Sequence, residues 1–208
     1  MKELGTFVAF EGHKCVAYGE LQEVVARVRE YIDESGTSPE ASRVLFFEDR
    51  TGRQVDFDLS GSPRQVVERL AKHPLVTAAR GGEKQQGPGR PKLGVVSREV
   101  SLLPRHWEWL GEQRGGMSVA IRELVENAMK RGKHAHLARK AREAAAKFMW
   151  TVAGDLPGFE EASRSLYAKD IHALGKNMKG WPKDVRAHVE RLVAEATKLD
   201  ALATLEST

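Results

Sequence analysis

The sequence predicts an α+β fold, and three observations along the chain predict it. Short runs of alternating apolar and polar residues before about residue 60 indicate strands, each pair being followed by a helical pattern. A glycine-, glutamine- and lysine-rich stretch then interrupts all periodicity. Beyond it, helical spacing of apolar residues dominates. The predicted parts are an N-terminal α+β domain with strand-strand-helix repeats (1–75), a basic flexible linker (76–96), a central strand-helix-helix unit (97–133) and a C-terminal α-helical domain (134–208).

The composition is typical of a folded globular protein. Hydrophobic residues are 41% of the 208 residues and charged residues 30%. No apolar run approaches the roughly 18 residues that cross a bilayer, and no signal-peptide pattern opens the chain. The single cysteine, Cys15, has no partner for an internal disulfide, which fits a reducing compartment. We therefore expect a cytoplasmic protein without a membrane partner.

The N-terminal part is predicted to contain two hairpins, each followed by a helix. The first hairpin pairs residues 6–10 with 15–18 through a turn at 11–14, and a helix over 21–35 follows it. The second pairs residues 44–48 with 55–59, whose alternation indicates a half-buried strand, and a helix over 63–72 follows. Together these units account for the α+β character of the fold.

The remaining sequence divides into a linker and a helical region. Periodicity is lost between about 74 and 94, which predicts a linker. An alanine-rich helix is predicted over about 136–152, followed by a short helix to about 169 and a further short segment to 176. A last helix begins at Pro182, a favoured first helical position, and runs to about 196.

The central unit has the order strand, helix, glycine turn, helix. A β-branched run over 95–103 stops at Pro104, which opens a helix to about residue 113. Gly115 and Gly116 end that helix, and Ser118 is predicted to be the N-cap of a helix over 119–131. The second helix carries an apolar stripe. Its members are Ile121, Leu124, Val125, Ala128 and Met129.

A unit of this size cannot by itself supply the backbone hydrogen bonds of a lone strand, and it cannot bury two apolar helix faces. A two-fold homodimer with paired strands solves both problems. The pattern resembles the ribbon-helix-helix repressors of the Arc, MetJ and CopG type. The matching residues are Pro104, Gly116, Ser118, Ile121 and Arg122. The resemblance implies a bacterial transcriptional regulator, repressor-like, whose dimeric β-ribbon binds double-stranded DNA.

In that family, alternate strand residues contact base edges and the N-terminus of the second helix binds a phosphate. The resemblance implies that Met117 and Ser118 lie at the phosphate in this protein. Two strand registers remain open. Counting back from Pro104 exposes Arg98, Val100 and Leu102, whereas hydrophobicity favours exposing Ser97, Glu99 and Ser101. Glu99 departs from the family pattern, because a carboxylate repels phosphates although it can accept from cytosine.

A second DNA-binding element is predicted in the linker. Gly89-Arg90-Pro91-Lys92 resembles the core of an AT-hook, whose arginine lies in a narrow A·T minor groove. Arg90 and Lys92 would then contact DNA as a basic arm. The net charge of +4 is modest, but the cations between residues 84 and 147 outnumber the acids. The whole sequence also resembles an uncharacterised bacterial family of unknown function, which implies no activity.

Other interpretations remain open. The alternatives for the central unit are an ordinary helical hairpin packed on the other domains and a protein-interaction or antitoxin-like adaptor. An enzyme is the least favoured class, since no phosphate loop, dinucleotide fingerprint or nucleophile elbow is present. No catalytic residue, cofactor or metal is predicted, and any small-molecule effector is unknown. The weaker candidates are a His13–Cys15 nucleophile-base pair, the His134–His136 pair, and a pocket near Trp150, Phe159 and Trp181 with Glu160, Glu161 and Asp170.

Overall fold

The computed structural model describes residues 5–36, 38, 42–79, 96 and 98–206. The predicted α+β class is confirmed: these ranges contain four strands and nine helices. The strands are β1 (Phe7–Glu11), β2 (Lys14–Gly19), β3 (Val44–Glu48) and β4 (Arg53–Val55). The helices are α1 (Leu21–Ser35), α2 (Pro63–Lys72), α3 (Pro74–Ala79), α4 (Pro104–Gly111), α5 (Met117–Arg131), α6 (Lys133–Ala153), α7 (Phe159–Tyr167), α8 (Ile171–Asn177) and α9 (Lys183–Glu206).

The four strands form one antiparallel sheet in the order β2-β1-β3-β4. The central strand β1 pairs with β3 from Phe7 opposite Glu48 to Glu11 opposite Val44. Its first four residues are all buried. A strand is apolar along its whole length when both faces of its sheet are covered, because successive side chains point to opposite faces.

One face of the sheet packs against α1, α2 and α3. Phe7 and Ala9 of β1 belong to this core with Val24 and Val28 of α1. Helix α1 presents its buried residues at helical spacing, and Gly36 ends it with φ 67. Helix α2 begins with a capping box in which the Ser62 and Gln65 side chains bond each other's backbone N–H groups. The periodicity and caps of α1 and α2 thus fix where this layer begins and ends.

The other face packs against the C-terminal helices. Val8, Phe10 and Phe47 share a core with Phe148 of α6 and residues of α7, α8 and α9. The Phe148 ring lies 5.0 Å from the Phe10 ring and 5.3 Å from the Phe47 ring. The sheet of the N-terminal part and the C-terminal helices therefore share one hydrophobic core. The boundaries of the four predicted parts stay a prediction.

Helices α6 and α9 pack antiparallel along their lengths. Arg142 and Lys169 both bind the Asp200 carboxylate, and His134 near the start of α6 contacts Glu206 at 2.6 Å near the end of α9. Burial acts to raise the pKa of Asp200, but the hydrogen bonds from the two cations outweigh it and leave the pKa lowered. Ion pairs thus join the outer halves of the two helices.

A buried polar cluster joins the sheet to α9. Asp49, 8% exposed, accepts a hydrogen bond from Thr6 Oγ1 at 3.0 Å and pairs with the Arg191 guanidinium. Arg191 also contacts His188 Nδ1 at 2.6 Å, and its guanidinium stacks on the Tyr18 ring at 3.8 Å. Burial, then the Arg191 charge, lowers the pKa of His188 to about 3. His188 is therefore a neutral ring inside the core.

Two predicted element ends are wrong. The strand predicted over 55–59 is observed as β4 (Arg53–Val55), although Val55, Phe57 and Leu59 still face the core as the alternation predicted, with the Phe57 ring 5.0 Å from the Phe46 ring. The side chain of Asp58 accepts from the Ser60 N–H and hydroxyl. A helix, α3, occupies the start of the predicted linker, and α9 extends past the predicted end at 196 to Glu206.

Candidate nucleic-acid interface

The central unit is a helical hairpin formed by α4 and α5. Pro104 is the first residue of α4, after an extended Leu103. Gly115 and Gly116 connect the helices with φ of 90 and 84, values that favour glycine. The N-cap of α5 is Gly116, so the predicted N-cap role of Ser118 is wrong and Ser118 lies in the first turn. The helix therefore begins at Met117, two residues before the start at Val119 that a Ser118 cap predicted.

The N-terminus of α5 has no side-chain cap. The N–H groups of Val119 and Ala120 bond to Gly116 O, and Arg122 Nε donates to Ser118 O at 3.0 Å. Within residues 98–206 the N–H groups of Met117 and Ser118 have no acceptor, and both residues are exposed. Two backbone donors and the positive end of a 15-residue helix dipole therefore face solvent.

The same unit exposes an unusual amount of apolar surface. Of sixteen exposed large hydrophobic residues in the described part of the chain, nine lie between 96 and 129. They are Val96, Val100, Leu103, Trp107, Trp109, Met117, Leu124, Val125 and Met129, each 40–69% exposed. Only Leu110 and Ala120 are buried in this segment. A single copy of the hairpin therefore leaves most of its apolar stripe in water.

A groove of about 380 Å³ runs between the segment before α4 and the two helices. Val100 and Leu102 form one wall, Trp109 and Leu110 of α4 the next, and Leu124 and Val125 of α5 the last. Trp109 and His106, which were not among the predicted residues, also line the groove. His106 lies four residues before Leu110 and three before Trp109 on α4, spacings that place side chains on one helix face and that are the sequence signal for this pair.

The predicted strand over 95–103 is not formed at its described residues, 96 and 98–103. In one copy no neighbouring strand supplies ladder hydrogen bonds to this segment. Arg98, Glu99 and Ser101 are exposed, whereas Leu102 is partly buried against the groove. The predicted contacts Arg90, Lys92 and Ser97 lie outside the described residues.

The basic charge lies on α6 rather than on the hairpin. Residues 98–131 contain six cations and five acids. Residues 133–147 contain five cations and one acid. Of these five, Arg142 is held by Asp200, Arg139 by Glu143 and Lys147 by the Thr51 carbonyl. Of the five, Lys133 and Lys140 have no ion pair or side-chain hydrogen bond with another described residue.

The cysteine and histidine pairs named as weaker candidates are not arranged for catalysis. Cys15 donates weakly to Ala17 O, burial raises the pKa of its thiol, and His13 lies beside Asp155 instead. His134 is held by Glu206 and His136 by Arg139. No three His, Cys, Asp or Glu side chains converge as a metal site within the described ranges.

The aromatic residues of the predicted C-terminal pocket separate into two places. Trp150 and Phe159 line a cleft of about 480 Å³ together with Glu160. Trp181 is buried instead, and its Nε1 donates to Pro157 O at 2.8 Å. Asp170 caps α8 by accepting from the Ala173 N–H. The three acids therefore do not surround one pocket.

The architecture defines a class: an α+β protein whose sheet is covered on both faces and whose central helical hairpin exposes its apolar side. A family model described as an uncharacterized protein conserved in bacteria (DUF2239) matches residues 6–193. The chain belongs to this bacterial family, as the resemblance of the whole sequence predicted. No curated protein and no solved structure matches the chain. None of the described helices is long and apolar enough to cross a membrane.

Proposed function

We propose that the protein is a cytoplasmic, repressor-like regulator that binds double-stranded DNA as a homodimer through its central unit. The observation that carries the proposal is the concentration of exposed apolar side chains on α4, α5 and residues 96–103. It lies beside an α5 N-terminus whose backbone donors are unpaired. A face for a second copy and a site for a phosphate thus occur on one small unit.

Burial of the groove in a dimer would supply part of the driving force for association. Four of the exposed side chains, Val100, Trp109, Leu124 and Val125, line the groove, and at about 1 kcal/mol each on burial they contribute about 8 kcal/mol for two copies. This is within the roughly 4–15 kcal/mol that association costs in lost freedom, so the pairing of the two strands must contribute as well. The dimer supplies each 98–103 segment with the antiparallel neighbour that this pairing needs.

The groove favours one of the two strand registers. Val100 and Leu102 line it, so in an extended chain their neighbours Ser101 and Glu99 face the other way. Ser97, which is outside the described residues, belongs to the same predicted register as Glu99 and Ser101. We propose that these three residues face the bases. Arg98 then flanks the ribbon, and the N–H groups of Met117 and Ser118 bind a phosphate.

The basic linker supplies the second contact. Arg90 and Lys92 would follow the backbone or enter an A·T-rich minor groove next to the ribbon, and if DNA is bound the protein becomes nucleoid-associated. This contribution is needed because the hairpin itself carries nearly balanced charge. Affinity should therefore depend on the linker, and sequence preference on the ribbon.

Fluorescence anisotropy with random and A·T-rich duplexes at two salt concentrations tests this proposal. Arg90→Ala and Lys92→Ala should weaken binding to every sequence and flatten the salt dependence by about 0.9 for each lost phosphate contact. Ser101→Ala should change sequence preference instead. Lys198→Met, an exposed change on α9, is the control that should do neither. Unaltered DNA affinity in Arg90→Ala and Lys92→Ala would remove the basic arm from the proposal.

A second candidate is a protein-interaction or antitoxin-like adaptor. It is favoured by the near-neutral hairpin and by a groove whose lining is almost wholly apolar. An apolar protein interface responds weakly to salt, whereas DNA binding weakens steeply. Salt-insensitive binding of a protein ligand with no DNA affinity would establish the adaptor.

A further inference from the structure

A cleft of about 640 Å³ opens where the sheet meets α6 and α9, and it shares no lining residue with the hairpin groove. Leu137 and Ala141 of α6 form one apolar wall, and Leu192 and Leu199 of α9 form the other. Thr6 and the turn after β3 close the sheet end. The volume is within the range of small-molecule sites, roughly 300–1,000 Å³.

The polar end of the cleft is held rigid. Arg191 is fixed by Asp49, by His188 Nδ1 at 2.6 Å and by stacking on Tyr18 at 3.8 Å. Asp49 is in turn held by the Thr6 hydroxyl at 3.0 Å. Side chains held on several sides stay in place when a ligand arrives, so this cluster forms a fixed end wall of the cleft and not one of the charged contacts.

Ion pairs occupy most of the charged side chains at the cleft, and one cation and one carboxylate remain outside them. Asp49 neutralises Arg191, and Glu48 lies 3.6 Å from Arg50. The remaining charged lining residues are Lys140 on α6 and Glu195 on α9. Neither forms an ion pair with any residue in the described ranges. The cleft therefore offers one cation and one carboxylate, on different helices, above an apolar wall.

We propose that this cleft binds a zwitterion with an apolar body, of the hydrophobic α-amino acid class. The ligand's carboxylate would pair with Lys140, its ammonium with Glu195, and its side chain would pack on the leucines of α6 and α9. Lys140 and Glu195 are both exposed, so each ion pair with the ligand is screened by solvent and modest, and the apolar walls supply the rest of the binding free energy. The inference does not depend on DNA binding.

Calorimetric titration of the full chain tests the proposal with three related probes. L-phenylalanine carries both charges, N-acetyl-L-phenylalanine only the carboxylate, and phenethylamine only the ammonium. L-phenylalanine should bind more tightly than either analogue, by up to about fivefold, since each exposed ion pair contributes up to about that factor.

Two charge-removing variants assign the contacts. Lys140→Met should weaken L-phenylalanine and N-acetyl-L-phenylalanine about fivefold and leave phenethylamine unchanged. Glu195→Gln should weaken L-phenylalanine and phenethylamine and leave the acetylated probe unchanged. Lys198→Met and Glu190→Gln, exposed changes on α9 outside the cleft, are the matched controls and should alter none.

The proposal is overturned by any of three results. L-phenylalanine gives no heat at millimolar concentration; the three probes bind equally well, which marks an apolar cleft without charge recognition; or Lys140→Met and Glu195→Gln behave as their controls do. A circular-dichroism melt of each variant confirms that it is folded before its binding is compared.

Discussion

Replacement of His188 by asparagine should remove part of the protein's sensitivity to acid. His188 is 5% exposed, and its ring lies 4.2 Å from the Phe148 ring. Its Nδ1 accepts from Arg191, and the Asp49 carboxylate 3.9 Å from Nε2 is already neutralised by that arginine. Asparagine keeps a side-chain acceptor for Arg191 but cannot take up a proton.

The magnitude follows from the two pKa values of His188. Its pKa is about 3 in the folded protein against 6.5 for the ordinary side chain, so the unfolded chain binds the proton first as pH falls. Stability is therefore present above about pH 6.5 and is lost progressively down to about pH 3. At pH 5 the loss relative to pH 7.5 is about 2 kcal/mol.

Urea unfolding at pH 7.5 and pH 5 gives the change in the free energy of unfolding between the two pH values. The effect is the difference between this change in the variant and the same change in the unaltered protein. Asparagine loses ring contacts, so His188→Asn should be less stable at both pH values. Its loss of free energy of unfolding between them should nevertheless be about 2 kcal/mol smaller than that of the unaltered protein. His172→Asn, at an exposed position on α8, is the control and should lose as much as the unaltered protein. An equal loss in His188→Asn would refute the assignment of a neutral, buried His188.

Two further changes test the packing between the sheet and α6. Gly52→Ala would place a Cβ within 2.6 Å of the Ala144 Cα at a φ of 62, whereas Gly12→Ala, at a φ of 54, meets nothing within 4 Å. Both alanines should lower the free energy of unfolding by about 1 kcal/mol, because both positions have a positive φ. Thermal unfolding should show a further loss for Gly52→Ala alone, and equal losses would contradict the close approach to Ala144. Phe148→Ala should cost about 3–5 kcal/mol because its ring is fully buried, while Trp150→Ala, 74% exposed, should cost under about 1 kcal/mol by the same measurement. Similar losses for the two would mean that α6 presents a different face to the sheet.

Elements with strong local signals were predictable from the sequence. The apolar spacing over 21–35 and the Pro63 start reproduce α1 and α2 to the residue. The strand over 44–48 is also as predicted. The alternation over 55–59 predicted correctly which side chains face the core, but not that the strand ends at Val55. Side-chain alternation defines a face and does not define how far the ladder hydrogen bonds extend.

The polar cluster could not be predicted, because its members are distant in sequence. Asp49 and Arg191 are 142 residues apart, and each alone is typical of a solvated surface. The apolar stripe of α5 was predictable from its spacing, but its exposure was not. Spacing defines a face, while the surrounding fold decides whether Leu124 and Val125 are covered within one copy.

Sedimentation velocity of the full chain with and without a labelled duplex tests most directly whether two copies joined through the apolar face form the DNA-binding unit. The account predicts a dimer that binds the duplex as a dimer. It also predicts that Leu124→Glu, which places an unpaired carboxylate in the interface, raises the dimer dissociation constant at least about 100-fold and abolishes DNA binding with it. A monomer that ignores DNA, or a Leu124→Glu variant that still dimerises and binds the duplex normally, would contradict the account.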